Sequence, residues 1–232
     1  MQSRHRATLF NTFFLGLIAS LPASVAAQQQ GDWIIRAGAA TVEPKESSRA
    51  LNTVAVGPLA ATGVGVDPDT QLGLNLVYML SDNIAIELLA STPFEHDLAV
   101  QGLGGFGFST TRLGSGKHLP PTVTALYYFG QPAKRFRPYV GAGLNYTLFF
   151  EESLSSQARN ELGANSLKLD DSVGWSVSAG FDYKLDQNWL INAAVRRINI
   201  ETDASLGSAL GRITTRVDID PWVYMISLGY IF

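Results

Sequence analysis

His96, His118 and the run Glu95-His96-Asp97 are the residues of this 232-residue chain whose types could ligate a metal or activate a nucleophile. A nucleophilic triad needs its side chains to converge, and so does a metal site. Neighbouring residues of an extended segment point to opposite faces, so Glu95, His96 and Asp97 do not converge. Both histidines are read as polar loop residues, and His5 falls in a leader that is removed. Cysteine is absent, which excludes thiolate ligands, disulfides and cysteine nucleophiles. The run Gly102-Leu103-Gly104-Gly105-Phe106-Gly107 invites a phosphate-loop reading, but no helix follows to present its N-terminus to an anion. It is expected to form a mobile loop whose Phe106 and Phe108 fold over a barrel mouth. No catalytic residue, metal or cofactor is assigned, and the chain is read as a non-enzyme.

The remaining chemistry lies in charges embedded in apolar segments: Arg36, Glu87, Asp182 and Arg196. Their meaning depends on which way each strand faces. From Trp222 the even positions read Trp222, Tyr224, Ile226, Leu228, Tyr230 and Phe232, while Ser227 and Gly229 fall on the other face. Val173 to Tyr183 alternates in the same way against Gly174, Ser176, Ser178, Gly180 and Asp182, and Val140 to Phe150 against Gly141, Gly143, Asn145 and Thr147. Period-2 alternation of this kind is the mark of strands with one face on lipid and the other on a lumen. Five weaker segments, 33–39, 72–78, 84–90, 123–129 and 189–195, raise the count to eight. A closed antiparallel eight-stranded transmembrane β-barrel is the expected fold, because in hydrocarbon every backbone amide and carbonyl must be paired and an open sheet leaves edges bare.

Residues 1–27 have the layout of a signal peptide: Arg4 and Arg6, then an apolar stretch from Leu9 to Leu21, then Val25-Ala26-Ala27. Its removal leaves one domain, 28–232, with no Pro/Ser-rich linker to divide it. The chain is 46% hydrophobic with a formal charge of -3, and no basic stripe favours nucleic acid. Connections alternate in length. Ser81-Asp82-Asn83, Gly130 to Phe136 and Asp186-Gln187-Asn188 are short and rich in turn formers, while the stretches near 41–70, 95–117, 151–170 and 202–216 are long. Short turns belong on the periplasmic side of such barrels and long loops outside, which puts both termini in the periplasm. Trp33, Tyr78, Tyr183, Trp189 and Tyr230 lie near the short turns or the termini, where aromatic rings form an interfacial girdle.

The stretches Gln71-Leu72-Gly73-Leu74, Asp82-Asn83-Ile84, Glu87-Leu88-Leu89, Thr92-Pro93-Phe94, His118-Leu119-Pro120-Pro121-Thr122, Arg137 to Thr147, Asp220-Pro221-Trp222-Val223 and Gly229-Tyr230-Ile231-Phe232 fall in strand or turn positions of this barrel. Together they resemble the OmpW family of small outer-membrane proteins. The resemblance spans essentially the whole mature chain. It implies a narrow hydrophobic passage for small apolar molecules across the bacterial outer membrane, with Leu89 on a passage-lining position. It also places His96 in a Pro-Phe-x-His rim. The terminal Tyr230 and Phe232 look like the segment that outer-membrane proteins offer to the barrel-assembly machinery.

By alternation the lumenal set contains Leu89, Leu126, Tyr128 and Phe149 as a ligand path, together with Arg36 and Glu87. Arg196 also points inward if the alternation from Trp189 holds, at a place where family members often carry an aromatic residue. A buried arginine needs a partner, since an unpaired buried charge costs several kcal/mol. A lumenal network of Arg36, Glu87, Asp182 and Arg196 is therefore expected. The two functional expectations are a channel for small, largely hydrophobic solutes and a plugged barrel with a structural or receptor role in adhesion, phage or host contact. Expected partners are outer-membrane lipid, the assembly machinery and a small hydrophobic solute.

Overall fold

The structure, a computed structural model, describes residues 28–232 apart from 46, 55, 56 and 210. The proposed leader, 1–27, lies outside the described residues. Eight antiparallel strands form the wall: β1 (Trp33–Glu43), β2 (Asp69–Met79), β3 (Ile84–Ser91), β4 (Thr122–Tyr128), β5 (Phe136–Leu154), β6 (Ser172–Lys184), β7 (Trp189–Ile198) and β8 (Trp222–Ile231). Each pairs with its neighbour in sequence, β1 pairs with β8, and β4 with β5, so the sheet closes. Among the described residues no helix is long and apolar enough to cross a membrane, so crossing falls to the strands.

The wall is apolar outside. Leu144, Val173 and Ile226 are 70%, 75% and 68% exposed, and Leu74, Leu88, Val140, Trp175, Tyr224 and Leu228 are exposed beside them. Such a surface around a whole barrel suits lipid rather than water. Small residues on the inner face permit large neighbours. A Cβ on Gly180 would lie 2.6 Å from the Tyr139 hydroxyl, and one on Gly229 would lie 2.6 Å from Leu190 and 3.0 Å from Arg36. At the short-turn end Trp33 packs on Tyr78 at 4.7 Å and Trp189 on Tyr230 at 4.9 Å between ring centroids. Both ends of the barrel sequence lie there, with the Phe232 amide donating to the Trp33 carbonyl at 2.8 Å.

The long connections depart from the sequence expectation of loops. Phe94–Gln101 and Arg112–Leu119 form a hairpin that continues β3 and β4, and its second strand pairs with the upper part of β5. Gly63–Val66 adds to its edge. A second sheet joins Ser166–Leu169, Glu201–Ser208, Gly211–Asp218 and short pieces of 47–58. These segments fold because they carry their own apolar face: Val64, Val66, Leu98, Val100, Leu206, Ile213 and Val217 are all buried. The glycine run is a 3-10 turn, Leu103–Phe106, with Leu103 buried and Phe108 packed on the apolar cluster, while Phe106 is exposed. The two phenylalanines therefore do not close over the mouth as a pair.

The hairpin also interrupts the wall. The β2–β3 ladder ends at Gly73–Ser91; past it the Leu72 amide donates to Thr92 Oγ1 at 3.2 Å, the Thr92 hydroxyl to Gln71 Oε1 at 2.9 Å and the Glu95 amide to Asp69 Oδ2 at 3.0 Å, and one last backbone bond runs from the Thr92 amide to the Leu72 carbonyl at 2.9 Å. Pro93 comes next and has no N–H to extend the ladder. Beyond that bond β2 runs on to Asp69 with β1 as its ladder partner.

Candidate functional site

The lumen is built in three layers, and the order of residues along each strand sets them. On β1 the inward residues run Ile34, Arg36, then Ala40 and Val42. On β3 they run Ala85, Glu87, Leu89, and on β2 Met79 and Val77 are followed by Asn75. Ile34, Val77, Met79, Ala85, Leu126, Tyr128, Tyr139, Leu190 and Ile231 make an apolar floor at the short-turn end. Ala40, Val42, Leu89, Ile198, Val223 and Met225 begin a second apolar cluster that rises into the sheets formed by the long connections. Charged and polar side chains separate the two.

The structure brings Arg36, Glu87, Asp182 and Arg196 into one middle layer. Arg36 lies 2.6 Å from Asp182 and 3.2 Å from Glu87, and Arg196 pairs with the other oxygen of Glu87. All four are at most 4% exposed. Two cations face two anions, so the layer is charge-balanced, and neutral groups complete it. The Asn75 amide donates to Glu87 at 2.6 Å, the Asn192 amide to Asp182 at 2.9 Å, and Arg196 to the Thr124 hydroxyl at 3.0 Å. Tyr128 accepts from Arg36 at 2.5 Å and donates to Asp182 at 3.1 Å. Beneath it Arg137 sits 4.9 Å from the centroid of the Tyr128 ring and donates to the carbonyls of Gln28 and Asp82 at 2.7 and 2.6 Å. Arg197, next along β7, points outward and lies 5.6 Å from the centroid of the Trp222 ring.

The four apolar lumenal residues do not share one path. Leu126 and Tyr128 belong to the floor, beneath the charges, and Leu89 and half-buried Phe149 belong to the cluster above them. Leu89, Leu126 and Tyr128 are buried and Phe149 is half-buried, and their position along the barrel axis is a matter of register. Above the charged layer the apolar cluster surrounds a cavity of about 60 Å³ between the hairpin and the second sheet. That exceeds the ~10–15 Å³ needed for one water by roughly four-fold. Leu98, Leu113, Phe149, Leu169, Leu206 and Ile213 are among its walls.

The histidines depart from the reading as loop polarity. His96 and His118 are 6% and 5% exposed, face each other across the hairpin with Nε2 atoms 2.9 Å apart, and line this cavity. His118 lies between Phe94 at 5.4 Å and Phe149 at 5.7 Å. Burial holds the His96 imidazole below its ordinary pKa. Burial and then the neighbouring His96 push His118 down to about 3. Both rings are therefore neutral at pH 7. The signal in the sequence was the alternation Phe94, His96, Leu98, Val100 against Glu95, Asp97 and Gln101, which places His96 on an apolar face. Among the described residues no group of three or more His, Asp and Glu is placed to hold a metal.

A family model described as the OmpW family matches residues 29–232. Outer membrane protein W of Vibrio cholerae serotype O1 is 47% identical over 230 residues, covering 98% of this chain and 100% of that protein. Outer membrane protein W of Escherichia coli strain K12 is 40% identical over 220 residues, covering 94% and 96%. The crystal structure of the outer membrane protein OprG from Pseudomonas aeruginosa superposes with a TM-score of 0.83 at 42% identity, covering 88% of this chain and 97% of that one.

Proposed function

From the premise that the chain belongs to the OmpW family and is a barrel of the bacterial outer membrane, we propose that it takes small, largely apolar molecules from the extracellular side into the cavity above the charged layer. The carrying observation is that cavity, apolar in its walls and enclosed by strands that have no other evident need to leave a void. Short turns and both termini face the periplasm in this reading, as in other barrels of this architecture.

Straight passage is opposed by the middle layer. An apolar solute moving down the axis would have to part Arg36, Arg196, Glu87 and Asp182, leaving buried charges without partners. The wall offers an exit into the bilayer beside Pro93, where the β2–β3 backbone ladder gives way to side-chain bonds of Thr92, Gln71 and Asp69 that can part without stranding a buried charge. Leu89 and Phe149 then serve the solute's route, whereas Leu126 and Tyr128 serve the closed floor. The test is uptake of a small apolar fluorophore into asymmetric vesicles with a lipopolysaccharide outer leaflet, with Ala204→Trp to fill the cavity. Faster uptake with the native protein than with Ala204→Trp supports the route, and equal rates sink it.

The charged layer itself favours a second reading, a permanently plugged barrel that displays its extracellular sheets to a partner. Planar-bilayer conductance separates the two when read with the uptake assay. A silent native protein, a conducting Arg196→Ala variant and no solute uptake support the plugged receptor.

A further inference from the structure

The hydrogen bonds around the histidine pair determine its tautomers. The Asp67 carbonyl can only accept, and it lies 2.5 Å from His96 Nδ1, so that nitrogen carries the proton. In a neutral ring His96 Nε2 is then a bare acceptor, and His118 Nε2, 2.9 Å away, must donate to it. Neutral His118 is left with an unprotonated Nδ1. That atom is buried and has no hydrogen-bond partner. A lone pair of this kind in apolar surroundings seeks a donor, because an unmade buried hydrogen bond is costly.

We propose that the cavity selects apolar molecules that carry one hydrogen-bond donor, a hydroxyl or N–H, which they present to His118 Nδ1. Pure hydrocarbons of the same size would be poorer ligands. The inference rests on the uptake reading above and narrows its solute class. Three structural features support it independently of any titration. His118 lines the cavity, its other nitrogen is occupied by His96, and Phe94 and Phe149 hold its ring in place. A ring so fixed cannot turn its acceptor elsewhere. The remaining cavity wall is aliphatic or aromatic apart from His96, Gly116, Ser205 and three threonines, and the hydroxyls of Thr202 and Thr215 already donate to the Asp170 and Arg49 carbonyls at 2.7 Å, whereas His118 Nδ1 has no partner.

Phenol and toluene have nearly the same shape and differ in the donor. Each would be titrated into the full-length mature protein in lipid nanodiscs, with the histidine ring nitrogens labelled with 15N. The expected result is saturable binding of both, about fivefold or more tighter for phenol, since one net hydrogen bond contributes on the order of 1 kcal/mol. Phenol alone should shift the His118 Nδ1 resonance toward that of a hydrogen-bonded acceptor. His118→Phe should equalise the two affinities, and the nitrogen shift in the native protein answers the question even if that variant fails to fold. Equal binding without a shift would overturn the donor preference while leaving the cavity as an apolar site. Binding of neither probe would overturn the uptake reading as well.

Discussion

Replacing Glu87 by glutamine is the sharpest probe of the charged layer. Glu87 accepts from Arg36 at 3.2 Å, from Asn75 at 2.6 Å and from Arg196, and it is 1% exposed. Glutamine has nearly the same volume, so cavity formation contributes little. What changes is the balance: Arg36 keeps Asp182 at 2.6 Å, but Arg196 is left with the Thr124 hydroxyl at 3.0 Å. Removing one partner of a buried ion pair costs about 3–5 kcal/mol, because the remaining charge stays buried. That lowers the folded-to-unfolded ratio by two orders of magnitude or more. Removing both members should cost much less. Glu87→Leu combined with Arg196→Leu keeps the layer neutral, with Arg36 and Asp182 still paired, and an ion pair replaced by apolar groups is often near neutral in stability. The assay is reversible urea unfolding of the protein in lipid vesicles, followed by tryptophan fluorescence. The expected order is native, then the double leucine variant, then Glu87→Gln, with at least about 2 kcal/mol between the last two. A Glu87→Gln variant within about 0.5 kcal/mol of native would mean that water reaches the layer and screens it, and the account of a sealed plug would fall.

Acidification should loosen the hairpin that carries the two histidines. Folding lowers the pKa of both histidines, so the unfolded state binds more protons and the stabilisation is fully present above about pH 6.5. It is lost progressively as pH falls from there toward the His118 value of about 3. Amide exchange of Phe94–Gln101, corrected for its intrinsic pH dependence, should accelerate across that window, and a flat profile would contradict the burial of the pair. Ile226, 68% exposed near the middle of β8, should not tolerate charge: Ile226→Arg is expected to cost about 2–4 kcal/mol in vesicles if that face meets lipid. A neutral outcome would place the face in water. Deleting Phe232 removes its 2.8 Å bond to Trp33 and its packing on Tyr230 at 4.8 Å. Equilibrium stability should fall by only about 1 kcal/mol, while assembly in cells, measured as heat-modifiable barrel in the outer membrane, should drop strongly if Tyr230 and Phe232 are read by the assembly machinery.

The wall of this barrel was legible in the residues alone, because alternation is local. A strand with Val173, Trp175, Val177 on one face and Gly174, Ser176, Ser178 on the other states its own orientation without reference to any partner. The same rule put Arg36, Glu87, Asp182 and Arg196 inside, and the cost of isolated buried charge required them to find each other. Which oxygen meets which nitrogen, and which neutral groups complete the layer, depends on register around a closed sheet. Gln28 reaches Asp182 across 154 residues, and Arg196 reaches Glu87 across 109. Nothing local in either segment encodes such a meeting. The long connections show the opposite failure. Polar and glycine-rich stretches read as loops because their apolar residues are few, yet the tertiary structure stacks Val66, Leu98, Leu206 and Ile213 into one cluster and draws His96 and His118 in with them. Sequence determined the barrel fold. Only the closed barrel decided that Leu89 and Phe149 lie above the charges and Leu126 and Tyr128 below, because height along the axis is set by the stagger between strands, a quantity that no single strand contains.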